Sequence, residues 1–120
     1  MLSIMTIYAI NVSEPYYSDV EAGKKTVELR LYRGKFVQFA VGDKLMITRK
    51  EEAHDGNESP VSAGCTRQII GVTHYESFAE AISALGLERV MPSAASVETA
   101  VAAYRAIYEC GGDVVAFELA

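Results

Sequence analysis

Eight consecutive residues, Gly23-Lys24-Lys25-Thr26-Val27-Glu28-Leu29-Arg30, hold most of the chemistry this sequence offers. The glycine permits a left-handed turn at the end of a helix. Two lysines follow where the chain reverses. Glu28 and Arg30 stand two apart on a predicted strand and so project from one face. Lys25 faces the opposite way if the strand has already begun. If the turn persists, it swings onto their surface. Ammonium groups suit a phosphate, a guanidinium fork suits a phosphate or a base edge, and a carboxylate can accept from an exocyclic amine. The plain alternative is a surface Glu28–Arg30 ion pair beside solvated lysines, since short motifs match by chance.

Other chemistries are thinly represented. His54 falls in a predicted loop and His74 in a predicted strand, with no H-x-x-E-H or C-x-x-C grouping to hold a metal. No glycine-rich phosphate loop and no G-x-S-x-G is present. Cys65 and Cys110 are isolated and read as small hydrophobes. No cofactor and no metal is expected. Tyr104 and Tyr108, at helical spacing, read first as core or interface residues.

The elements that must position these groups are legible as patterns. Ser3 to Asn11 alternates with both faces apolar, as a buried strand does. Ser13 as N-cap, Pro15 in the first turn and Gly23 as stop delimit a helix over Glu14 to Ala22. Lys25 to Leu31 alternates, with Val27, Leu29 and Leu31 on one face. Arg33-Gly34-Lys35 and Val41-Gly42-Asp43 are turns, and Lys44 to Thr48 is a strand. Residues 51 to 62 lack periodicity and read as an exposed loop. Cys65 to Tyr75 is a long β-branched strand. Ser77-x-x-Glu80 is a capping box opening a helix through Phe78, Ala81, Ile82 and Leu85. Ser96 caps another, through Val97, Ala100, Val101, Tyr104, Ile107 and Tyr108, ended by Gly111-Gly112. Asp113 to Leu119 is the last strand. The order predicts an α+β fold with a largely antiparallel sheet. Its five or six strands are enough for a small barrel, although the pattern does not dictate closure.

The chain has 120 residues, half of them hydrophobic, which predicts one domain over 1–120 with a real core. No apolar run approaches a membrane span, and the opening residues lack the basic start of a signal peptide. A reduced cytoplasmic compartment is expected, with a nuclear one also compatible. No internal repeat is visible, and the oligomeric state is left open. The net charge of −5 argues, as a total, against a nucleic-acid partner. The total hides a split. Residues 22 to 50 hold eight cations against two carboxylates, a local +6, and the remainder holds three against fourteen, −11. Such asymmetry speaks to partners, not to fold.

Gly23, Lys25, Glu28 and Arg30 form G-x-K-x-x-E-x-R, and on this the sequence resembles the ASCH domain family of the PUA-like superfamily. The likeness continues through the opening strand and helix, Gly42-Asp43, His74-Tyr75-Glu76-Ser77-Phe78, Met91-Pro92, Ala106-Ile107-Tyr108 and Val114 to Leu119. It is nearest to the small stand-alone members. The resemblance implies a compact PUA-like β-barrel with flanking helices, and a cleft between the first helix and the barrel lined by the signature. It also implies an association with RNA. One branch hydrolyses the amide of N4-acetylcytidine with a lysine, a threonine and a glutamate. The lysine carries over to Lys25, but Glu28 stands in the threonine position and no residue matches the third role. Another member is described as a single-stranded ribonuclease.

Two functional expectations follow. The first is a binding module for single-stranded RNA or a nucleotide-like small molecule. Lys24, Lys25, Arg30, Arg33, Lys35, Arg49 and Lys50 would meet phosphates, Thr26 and Glu28 would complete the site, and Tyr16 and Tyr17 would stack bases. Core packing is the competing role for those tyrosines. The second is a small hydrolase acting on a modified nucleobase or nucleoside, or on single-stranded RNA. There Lys25, its pKa depressed by burial beside Arg30, would be base or nucleophile, and Glu28 the proton shuttle. The −11 elsewhere limits the size of any polyanion bound.

Overall fold

The structure, a computed structural model of the chain, describes residues 5–50, 64–108 and 112–120. The predicted loop 51–62, with His54, lies outside the described residues, as do Ser3, Ile4, Cys110 and Gly111. The elements run β1 (Ile7–Val12), α1 (Tyr16–Glu21), β2 (Val27–Leu31), a 3-10 turn (Gly34–Gln38), β3 (Lys44–Arg49), β4 (Cys65–Tyr75), α2 (Phe78–Leu85), α3 (Leu87–Val90), α4 (Val97–Ile107) and β5 (Val114–Leu119). The fold is α+β, and the five strands form one curled sheet, a half-barrel, in the order β1-β3-β4-β5-β2. Only the β1–β3 pair is parallel; the other three pairs are antiparallel. No helix among the described residues is long and apolar enough to cross a membrane.

The curl has a local cause in β4. Its first half pairs with β3 through Cys65 to Gln68, and its second half pairs with β5 through Ile69 to Tyr75. The register shifts between Ile69 and Gly71, as at a bulge, and a bulge bends and twists a strand. A Cβ at Gly71 would run into the Glu118 carboxylate on β5, which would have to shift to admit it.

Both faces of the β2–β5 region are covered. Val27, Leu29, Leu31, Val114 and Ala116 pack outward against α2, α3 and α4 through Phe78, Ile82, Val90, Met91 and Tyr104. Val115, Phe117 and Leu119 face the barrel interior with Ile10, Val12, Leu45, Ile47 and Ile69. Tyr17 and Val20 of α1 and Phe39 after the 3-10 turn close that interior. Burying such side chains is worth about 1.5–3 kcal/mol each and holds the half-barrel against the helices.

The caps work as the sequence indicates, with one change. Ser77 and Ser96 accept from the backbone N–H of Glu80 and Thr99. The Glu80 carboxylate reaches past Ser77 and accepts from the N–H of Glu76. α1 starts later than expected: Pro15 holds the N-cap position without a side-chain cap, and Ser13 contributes only its carbonyl, which accepts from Tyr17. Gly23, at φ 77°, ends it. Three other expectations change. β1 is an edge strand, and its second face is uncovered, with Met5 and Ile7 about half exposed. β2 begins at Val27, not Lys25. α3 was not foreseen.

Candidate functional site

A sheet of five strands that stops short of closure leaves two edges, and here they are β1 and β2. Side chains bridge the seam between them. The Arg30 guanidinium on β2 donates to the Asn11 carbonyl at 3.0 Å. Lys35, from the 3-10 turn, donates to the Ala9 carbonyl at 2.7 Å. Both carbonyls belong to β1, whose outer side has no neighbouring strand to satisfy it.

Beside the seam lies a cleft of about 110 Å³. Asn11, Val12, Ser13 and Tyr16 line one side, Lys25, Glu28, Leu29 and Arg30 the floor, and Met91, Ala103, Tyr104, Ile107 and Tyr108 the other side, with Lys50 also contributing. That volume suits one small planar or compact polar group, not a length of polymer.

Three charged signature residues converge there. The turn after Gly23 persists through Lys25, so its side chain joins the surface of Glu28. Lys25 is 3% exposed, and Glu28 is 6% exposed. The Lys25 ammonium donates to the carbonyls of Val27, at 2.6 Å, and Val90, at 2.5 Å, and lies 3.4 Å from Glu28 Oε1. Its three N–H groups therefore have three acceptors. Val90 ends α3, where helical carbonyls lack internal partners. Glu28 Oε2 accepts from Arg30 Nε at 2.8 Å, and Arg30 Nη2 lies 2.8 Å from the same oxygen.

Burial sets the electrostatics, and the neighbours decide its outcome. Burial lowers the Lys25 pKa; Glu28 opposes that and does not cancel it. For Glu28 burial acts upward, but Arg30 and Lys25 outweigh it and hold the carboxyl below its ordinary range. Burial is the largest single influence on Arg30 and acts downward, but Glu28 together with the phenols of Tyr108 and Tyr104 outweighs it and raises the pKa. Burial, with Glu28 adding to it, pushes the Tyr104 phenol well above its ordinary 10.

The other expected site residues fall elsewhere. Tyr17 is 1% exposed, deep in the interior core, and is no stacking platform. Its neighbour Tyr16, about 100° further round the helix, is the one that meets the cleft. Lys24 and Arg33 are exposed and do not line it. Lys35 serves the seam. Arg49 is paired with Glu14 at 2.9 Å and lies over the Tyr17 ring. The Thr26 backbone donates to Arg89 and accepts from Leu119, so it fixes the start of β2. Tyr104 and Tyr108, read as core, are partly that: both stack on Phe78. They also supply the far wall. Their four-residue spacing put both rings on one helical face, but which element that face meets is tertiary information.

No group of three or more metal-binding side chains exists among the described residues. The free cysteine Cys65 lies on β4, away from the cleft.

Comparison with known proteins agrees with this architecture. The model of a family described as ASCH domain matches residues 10–119. A hypothetical protein, PH0355, known from a crystal structure, is 30% identical, with a TM-score of 0.77 over 95% of this chain and 97% of that one. Protein PF0455 from Pyrococcus furiosus, solved by NMR, is 26% identical, with a TM-score of 0.69 over 95% and 96%. ASCH from Zymomonas mobilis is 19% identical, with a TM-score of 0.61 over 93% of this chain and 65% of its own, a likeness of fold alone. No curated protein matches the chain.

Proposed function

We propose, from the premise that this chain belongs to the ASCH domain family, that it binds RNA or a nucleotide-like small molecule in the cleft at its barrel seam. The observation that carries the reading is the convergence of Lys25, Glu28 and Arg30 in one partly buried cleft. A mere surface ion pair would sit in solvent, where such pairs are worth about 0–1 kcal/mol. Tyr16 adds a half-buried ring at the same cleft, without a ring partner among the described residues. The size of the cleft and the acidic remainder of the chain favour one nucleotide over a tracked strand.

Titration of a fluorescent single-stranded oligonucleotide at 50 and 200 mM salt tests this. Arg30 and Lys50 are the cations placed to meet phosphates. Two neutralised phosphates give a slope of about −1.4 in log K against log salt, or roughly a sevenfold loss across that range. Absence of binding at low salt refutes the reading.

A second reading, hydrolysis of an N-acylated nucleobase, has one point in its favour: burial lowers the Lys25 pKa, as a base or nucleophile needs. Against it, two backbone carbonyls and Glu28 hold the protonated form in place. Incubation with a panel of N-acylated nucleosides, read by mass change, decides it. Turnover lost in Glu28→Gln would favour hydrolysis.

A further inference from the structure

Among the described residues, the cleft holds hydrogen-bond donors that no protein acceptor meets. Lys25 is fully engaged, as set out above. Arg30 uses Nε on Glu28 and Nη2 on Glu28 and the Asn11 carbonyl. Its Nη1, with two N–H groups, has no partner among the described residues. Tyr104 is 8% exposed, and its hydroxyl makes no hydrogen bond among the described residues although its ring is stacked on Phe78. That hydroxyl is not cut off from solvent, so its hydrogen-bonding capacity is open to a group in the cleft. Tyr16 and Tyr108 bring two further hydroxyls to the cleft, and Lys50 an ammonium.

The charge is unbalanced in the same sense. Among the described residues Glu28 is the sole carboxylate lining the cleft, and it is shared between Lys25 and Arg30. Asp19 also acts on Lys25, but it is the last of the influences on that group and does not line the cleft. The groups that most favour the Arg30 cation are Glu28 and the phenols of Tyr108 and Tyr104. Among the described lining residues the cations Lys25, Arg30 and Lys50 outnumber the carboxylate of Glu28, a balance that favours an anionic group there.

We infer that the cleft takes its ligand by a compact oxyanion, a phosphate monoester, seated against Arg30 Nη1 and the Tyr104 hydroxyl, with Lys50 beside it. This rests on the nucleotide reading and reorders it: the phosphate is the inner group and the base lies outward, against Tyr16. Recognition then depends on the phosphate and is tolerant of the base.

Isothermal titration with a nucleoside 5′-monophosphate, the 3′-monophosphate, the parent nucleoside and inorganic phosphate tests this on the full chain. The expected result is that one or both monophosphates bind at least about tenfold more tightly than the nucleoside, since charge-assisted bonds to an anion are about twice as strong as neutral ones. Changing the base should alter affinity less than removing the phosphate. Tyr104→Phe keeps the ring on Phe78 and removes only the hydroxyl. It should weaken monophosphate binding roughly three- to tenfold, the scale of one hydrogen bond, and leave nucleoside binding unchanged. Arg30→Lys keeps the charge, loses the fork and should cost more. Nucleoside bound as tightly as its monophosphates, or Tyr104→Phe binding as the parent does, overturns the inference and leaves the nucleotide reading standing. Inorganic phosphate bound with no nucleotide or oligonucleotide bound supports the oxyanion seat and overturns the nucleotide reading.

Discussion

Replacing Lys25 by methionine keeps the length and apolar stem of the side chain and removes only the ammonium. Two buried acceptors, the carbonyls of Val27 and Val90, then lose their donor. Each orphaned carbonyl costs about 1–3 kcal/mol. Glu28 keeps Arg30 but loses its second cation. Breaking a buried charge pair costs about 3–5 kcal/mol where nothing else compensates, and Arg30 offsets part of this. The two carbonyls alone cost about 4 kcal/mol and the weakened charge pair adds to it, a large share of the 5–15 kcal/mol typical of a domain.

Lys24→Met is the internal control, because Lys24 is exposed. A surface change of that kind stays within about 0.5 kcal/mol. Urea unfolding of both variants, followed by circular dichroism, measures the difference at unchanged m. A Lys25→Met loss below about 1 kcal/mol would show that water, not the ammonium, satisfies those carbonyls. The account of Lys25 as the tie between β2 and the end of α3 would then be wrong.

Three further outcomes are expected. Glu28 has a folded pKa below its ordinary 4.5, so its contribution to stability is complete above that value and is lost as pH falls through the lower folded value. Glu28→Gln should therefore flatten the loss of stability between pH 5 and 2, read by urea midpoints across pH. Tyr104 has a phenol raised well above 10, so the stability tied to it is present below pH 10 and is lost as pH rises through the higher folded value. In an absorbance titration its ionisation should lag behind that of exposed tyrosines, and Tyr104→Phe should shrink the late component, leaving the part due to Tyr17, which is also raised. Ser96→Ala removes the acceptor for the Thr99 N–H and should cost about 1 kcal/mol by thermal unfolding, with Ser96→Gly costing less.

Local signals were legible in the sequence because they depend on neighbours a few residues apart. The serine caps, the Gly23 stop and the alternation in β2 and β5 are of that kind. β1 misled because its apolar content suits two covered faces, whereas the sheet covers one and leaves Met5 and Ile7 outside. α3 is four residues long with no side-chain cap, too short to leave a periodic trace. At the site, the signature was readable because Lys25, Glu28 and Arg30 are sequence neighbours. The wall opposite them is set by where α4 docks, some 80 residues later, and no spacing near the signature encodes it. Tyr16 and Tyr17 show the same limit on one turn of helix: identical side chains, one in the core and one at the cleft, separated by a helix orientation that only packing decides.

The basic segment changes meaning once its side chains are placed. Residues 22 to 50 carry a local +6, which on a flat surface would be a track for a polyanion. Much of that charge is turned inward or sideways instead. Lys25 holds two carbonyls, Arg30 and Lys35 stitch the carbonyls of the β1 edge, and Arg49 answers Glu14. Cations suit this work: each offers several N–H donors on a long stem, and an unclosed barrel has a row of carbonyls with no strand to meet them. The segment is basic first because the seam needs donors. What remains for a ligand is the part of that donor supply the seam does not consume, chiefly at Arg30. Arg30 is thus a structural bridge, and in the proposed reading it would also be the point of contact.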